Sequence, residues 1–132
     1  MNREAREALK QIEGLSPGDL VEVWFFDASI GSSLTTSGIP IRSRSLGIYV
    51  GSVGEPKHLI LCQNDFQYGD ELRDEDYTAI PQPWATEVIV IKKRHVSPEE
   101  AEKMLKSILA GSGTRRRRGV FQMRVVNHEK LG

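Results

Sequence analysis

Between Ser45 and Cys62 the chain reads S-L-G-I-Y-V-G-S-V-G-E-P-K-H-L-I-L-C. Apolar and aromatic residues lead up to a glycine-rich reversal and resume after it, with Gly51, Gly54 and Pro56 supplying turn chemistry. That pattern predicts two neighbouring antiparallel strands, about residues 45–53 and 58–64, in one small sheet.

On the N-terminal side, Ala5, Ala8, Leu9 and Ile12 fall at i, i+3, i+4 and i+7, so residues 2–13 read as a short helix with Asn2 as its cap and Gly14 as its stop. The turn S-P-G-D (16–19) feeds L-V-E-V-W-F-F-D-A, where Val21, Val23 and Phe25 alternate with Glu22, Trp24 and Phe26. A strand is expected there with both faces partly covered, because Trp24 and Phe26 are too large to leave in water without a reason. Residues 28–45 turn to Gly, Ser, Thr and Pro and read as a long loop.

On the C-terminal side, F-Q-Y-G-D-E-L-R-D-E-D-Y (66–77) crowds Asp70, Glu71, Asp74, Glu75 and Asp76 into seven positions and reads as a solvated loop. Tyr77 to Ile80 restart strand character, P-Q-P (81–83) demands a corner, and E-V-I-V-I (87–91) is the most β-prone run in the chain. Ser97, Pro98 and Glu100 predict a helix start with a capping box. Ala101, Met104, Leu105, Ile108 and Leu109 then follow helical spacing up to Gly111. Phe121, Met123 and Val125 alternate with Gln122 and Arg124, which suggests a last strand.

With 132 residues, 39% of them hydrophobic, the chain suits one domain with a modest core. No run reaches the ~18 apolar residues of a membrane span, and the charged N-terminus lacks the apolar stretch of a signal peptide, so a soluble, cytoplasmic protein without membrane contact is expected. The single cysteine excludes an internal disulfide. Zero net charge hides an asymmetry: residues 92–132 carry +7 and residues 1–91 carry −7. Such a split marks either a polyanion-binding segment or internal charge pairing.

A short helix, a strand with V-E-V, a long loop, two strands around a glycine turn and a last pair around a tight corner resemble the order of elements in Sm-like proteins, within the SH3-like barrel class. The likeness is carried by G-D-L-V-E-V-W-F-F-D-A (18–28), L-G-I-Y-V-G-S-V (46–53), H-L-I-L (58–61) and A-I-P-Q-P-W-A-T-E-V-I-V-I (79–91). It implies a mainly β fold with flanking helices: a small antiparallel barrel with its N-terminal helix over residues 1–94, and a helix-strand extension over 95–132 packed on the same domain. Val23, Ile48, Leu61 and Ile89 are then expected to share one core. The frame is also similar to that of short uncharacterised proteins from phages and archaea.

Sm-like proteins hold RNA bases with an Asp and an Asn near one turn and an Arg-Gly at the final corner. Here G-E-P-K-H-L (54–59) and I-P-Q-P (80–83) stand at those positions, so the usual uridine pocket is not expected; Lys57 and His58 are the nearest substitutes. P-G-D-L-V-E-V with G-I-Y-V-G and K-H-L also resembles the core of permuted papain-like hydrolases. That family's histidine two residues before the glycine is Ser45 here, and the upstream cysteine is missing, which implies a non-catalytic copy.

Core packing accounts for Cys62 better than metal binding with His58, His95 or His128, or nucleophilic catalysis. No cofactor is expected. The tract Arg115, Arg116, Arg117 and Arg118 is the most suggestive feature, since adjacent guanidiniums repel one another and a polyanion relieves them. With Arg42, Arg44 and Lys57 it forms the candidate nucleic-acid-binding set, and Trp24, Trp84, Tyr49, Tyr68 and Phe66 are candidate base-stacking residues or core. The expectation is therefore a binding module without catalysis, with RNA or DNA as partner. The alternative is a protein-interaction module that forms homo-oligomers through strand edges and has no nucleic-acid role.

Overall fold

The computed structural model describes residues 3–27, 41–69 and 72–110. Helix Arg3–Glu13 (α1) leads into strand Leu20–Asp27 (β1), followed by Ile41–Val53 (β2), His58–Gly69 (β3) and Leu72–Pro81 (β4). A 3-10 turn, Gln82–Trp84, joins β4 to Ala85–Lys92 (β5), and helix Pro98–Leu109 (α2) comes last among the described elements. All ladders are antiparallel, in the order β4-β3-β2-β1-β5. The sheet is open: β4 and β5 are its edges, and no ladder closes it into a cylinder among the described residues. The expected last strand and the Arg115–Arg118 tract lie outside those residues.

The alternation in V-E-V-W-F-F sets the inner face. Val21, Val23 and Phe25 join Tyr49, Leu59, Leu61, Ile80, Ala85 and Val88, together with Ala8 and Ile12 of α1, in one buried cluster drawn from all five strands. Each large aliphatic side chain buried there contributes roughly 1.5–3 kcal/mol, and this is what holds an 11-residue helix that would be marginal alone. A second cluster lies on the other face, where Ala101, Met104 and Ile108 of α2 cover Val50, Ile60 and Cys62.

This two-sided arrangement corrects the single-core expectation. Val23 and Leu61 share the inner cluster, but Ile48 packs against the outer one and Ile89 is exposed. The ladder explains both: Ile48 pairs with Cys62, and Ile89 lies opposite Glu22, so each points to the outer face. Leu109, expected on the apolar face of α2, is also exposed, and Ser107 is buried in its stead.

The acidic stretch is likewise not a solvated loop. β3 continues to Gly69 and β4 starts at Leu72, with Asp74 and Glu75 buried. The burial is sustained by Arg73, which pairs with Asp65, Glu75 and Glu100. β2 likewise begins at Ile41, so the end of the expected 28–45 loop is strand. Ser97 caps α2 as expected, its Oγ accepting the Glu100 N–H at 3.0 Å. The Glu100 carboxylate, however, is turned to Arg73 of β4 and does not complete a capping box with Ser97.

The elements are tied together at Gly18-Asp19. Gly18 has φ +108°, and a Cβ there would meet the Val96 carbonyl oxygen at 2.3 Å, so only glycine fits. Its N–H donates to the Tyr49 oxygen at 2.8 Å and its carbonyl accepts the Val96 N–H at 3.1 Å. The buried Asp19 carboxylate accepts the N–H of Ser16 (3.0 Å) and of Arg94 (3.0 Å), and Lys93 Nζ at 2.7 Å. Burial opposes its ionisation, but these bonds outweigh burial and hold the carboxyl below its ordinary value. One turn thereby fastens β1, β2 and the link from β5 to α2. No described helix is long and apolar enough to cross a membrane.

Candidate nucleic-acid interface

Because β1 alternates and β2 runs antiparallel to it, Trp24 stands opposite Arg44 and Phe26 opposite Arg42 on the outer face. The Arg42 guanidinium carbon lies 4.0 Å from the Trp24 ring centre and that of Arg44 lies 5.2 Å away, both within cation–π reach. The indole Nε1 donates to Glu22 Oε2 at 2.6 Å, which fixes the ring in its plane. Trp24 is therefore covered by cations, which is why a large aromatic residue sits on the outer face outside the cluster that α2 covers. Phe26 is 38% exposed beside it, against the expectation of cover.

Arg42 and Arg44 are exposed, and neither makes an ion pair among the described residues. Arg42 also lines a cleft of about 480 Å³ with Arg3, Gln11 and Thr86. Thr86 continues into a smaller cleft of about 240 Å³ walled by Phe26 and Trp84. Carboxylates share this surface: Glu4 and Glu7 line the larger cleft, and Glu87 lies across the ladder from Trp24. Charge on this face is thus mixed, and its capacity for an anionic partner rests on the two unpaired guanidiniums.

Of the other expected site residues, Lys57 lies in the turn between β2 and β3, exposed, with its carbonyl accepting the Gln82 N–H at 2.9 Å. From Arg44 to that turn β2 runs about 30 Å at roughly 3.3 Å per residue, so the structure does not bring Lys57 to the arginines. Arg115–Arg118 lie outside the described residues. Tyr49 is core, while Phe66 and Tyr68 are exposed on β3, away from Trp24.

Cys62 is buried under α2, with Sγ donating to the Asn64 carbonyl at 3.3 Å. Burial, and then the nearby Glu75 and Asp65 charges, push its thiol up to about 12, which suits packing and not nucleophilic attack. His58 Nδ1 is 2.7 Å from the Pro56 carbonyl oxygen, within its own turn. Among the described residues no group of three His, Cys, Asp or Glu side chains could hold a metal.

From the sequence alone, Trp24 is a stacking or core candidate and Arg42 and Arg44 are phosphate-contact candidates, with nothing to join them. The I-R-S-R-S alternation was visible, but the register that lays it against V-E-V-W-F-F was not. No protein-family model matches this chain, and no curated protein matches it.

Proposed function

We propose that this chain is a non-catalytic cytoplasmic binding module of Sm-like, SH3-like frame that holds single-stranded RNA or DNA on the outer face of β1 and β2. The frame is supported by the strand order β4-β3-β2-β1-β5, the leading helix and the 3-10 turn before β5. The site is carried by one observation: two guanidiniums without ion-pair partners among the described residues, held against one fixed indole. Planar arginines in that setting accept stacked bases and contact phosphates, and the neighbouring Phe26 and Trp84 offer further ring faces. Glu22 and Glu87 limit the electrostatic attraction of this face, so most of the salt-dependent affinity is assigned to Arg115–Arg118. Titration with single-stranded and duplex oligonucleotides, read by tryptophan fluorescence at low and moderate salt, tests the reading. Salt-sensitive binding that favours single strands supports it; absence of binding at low salt removes it.

A second reading is favoured by a different feature. Ile89, Val90 and Ile91 are all exposed on edge strand β5, and Tyr77 is exposed on edge strand β4. Apolar edges of this kind favour strand addition, so homo-oligomers joined through β4 and β5 are the alternative assembly function. Light scattering of the wild type and of Val90→Lys separates the two readings: a monomer that binds oligonucleotide supports the first alone, and an oligomer that Val90→Lys dissociates supports the second.

A further inference from the structure

Glu75 is the least satisfied group in the described structure. Its side chain is fully buried, and neither carboxylate oxygen has a hydrogen-bond partner among the described residues. It stands directly across the β3–β4 ladder from Asp65, so two carboxylates face each other. One guanidinium serves both. Arg73 Nε and Nη2 hold Asp65 at 3.2 and 2.9 Å, while Nε reaches Glu75 Oε2 only at 3.5 Å. The same Nη2 makes a short hydrogen bond to Glu100 on α2, and Ser107 Oγ, one helical face along, donates to the Arg73 carbonyl at 3.3 Å. Arg73 is thus the polar anchor of α2 on the sheet, and three carboxylates compete for it.

Full ionisation would leave two uncompensated negative charges at this junction, a cost that protonation of one acid removes. Asp65 is not that acid: although burial opposes its ionisation, the Arg73 fork and the Gln67 amide (2.8 Å) hold its carboxyl below the ordinary value. Glu75 is, because burial first, and then the Asp65 charge, push its carboxyl from 4.5 to about 7. Among the described residues the surroundings supply no other neutralising cation. From β3 it faces Asp65 and the Cys62 thiol. On β4, Asp74 accepts the Glu75 N–H at 3.0 Å. From α2 come Glu100 and the Ser107 hydroxyl, while Lys103 and Lys106 line the outer groove with Arg73, and Lys106 pairs with Glu102 at 3.5 Å.

We propose that Arg73 and Glu100 form a pH-sensitive latch for α2: while Glu75 keeps its proton, Arg73 reaches out to Glu100, and once Glu75 releases it to solvent, the guanidinium is drawn inward and α2 loosens from β2–β4. Because the released helix lets Glu75 ionise at its ordinary value, the opening constant of α2 rises about tenfold between about pH 6 and about pH 8.

Amide hydrogen exchange on the full chain reads this, after correction for intrinsic rates. The amides of Met104 to Ile108 are expected to lose about tenfold in protection over that interval and to exchange faster than those of Val21 and Val23 in β1 throughout it, as an opening of α2 short of global unfolding requires. In Glu75→Gln, which keeps the shape without the charge, α2 protection stays level. A level response in the wild type, or the same loss in Glu75→Gln, overturns the latch. Should Glu75→Gln fail to fold, carbon-13 titration of the wild-type carboxyl decides. A midpoint near 7 accompanied by shifts of the α2 amides supports the latch, and a midpoint near 4.5, or α2 amides that do not follow, overturns it.

Discussion

Arg42 holds its guanidinium carbon 4.0 Å from the ring centre of Trp24, on the outer face of the sheet and outside the cluster that α2 covers there. The contact joins the middle of β1 to the beginning of β2, and Arg44 adds a second cation 5.2 Å from the same ring. Each such contact is worth about 0.5–1 kcal/mol at an exposed site, so a structural role alone has little to lose here. Arg42→Ala with Arg44→Ala is therefore expected to lower stability by no more than about 2 kcal/mol in denaturant titration. Its salt dependence of single-strand binding should shallow by roughly 1.4, two contacts at about 0.7 each.

The Gly18-Asp19 turn is expected to be the most sensitive surface-adjacent point in the chain. Gly18→Ala would drive a methyl group to 2.3 Å from the Val96 carbonyl oxygen in a backbone conformation that favours glycine, and should cost more than about 1 kcal/mol. Asp19→Asn keeps the shape but weakens the bonds to Lys93, Arg94 and Ser16, for about 1–3 kcal/mol. Thermal unfolding of the two variants measures both.

Two carboxyls give stability opposite dependences on pH. Asp19 titrates below its ordinary 3.8 in the folded protein, so its contribution is complete above about pH 4 and is lost as pH falls through the folded value. Glu75 is raised from 4.5 to about 7, so the folded chain keeps a proton that the unfolded chain releases. Stability should therefore fall as pH rises from about 4.5 to about 7 and then level off. Urea titrations across this range should show both limbs; Asp19→Asn should flatten the acid limb and Glu75→Gln the other.

How much of this was legible beforehand differs from element to element. The S-P-E-E start of α2 was readable because a cap is local chemistry, but the partner of Glu100 is Arg73, 27 residues away on another element. The β3–β4 hairpin was hidden because its acids read as solvated, and only the Arg73 bridge to Asp65 and Glu100 makes their burial tolerable. The Trp24 site was hidden for another reason: 13 residues separate β1 from β2, too many for loop length to set register. Ile48 and Ile89 each neighbour an inward-facing residue, Tyr49 and Val88, in a regular stretch of ladder, so alternation turns both outward; which alternate set faces inward is decided by strand pairing and not by the strand's own sequence.

Cys62 reports on α2 without further labelling sites, because the chain has no other cysteine. The folded protein is expected to react slowly with a maleimide. Met104→Ala, which opens the cluster above the thiol, should cost about 2–5 kcal/mol and speed the reaction well beyond any change seen with Asp19→Asn at equal stability.

The interface itself is tested most directly by nitrogen-15 NMR of the full chain during titration with a short single-stranded oligonucleotide at low salt. The Trp24 indole N–H and the backbone amides of Arg42 and Arg44 should shift together and saturate with one affinity, ahead of those on α2. Shifts that leave these three groups in place while the oligonucleotide binds elsewhere, or no shifts at all, would contradict a nucleic-acid site on the outer face of β1 and β2.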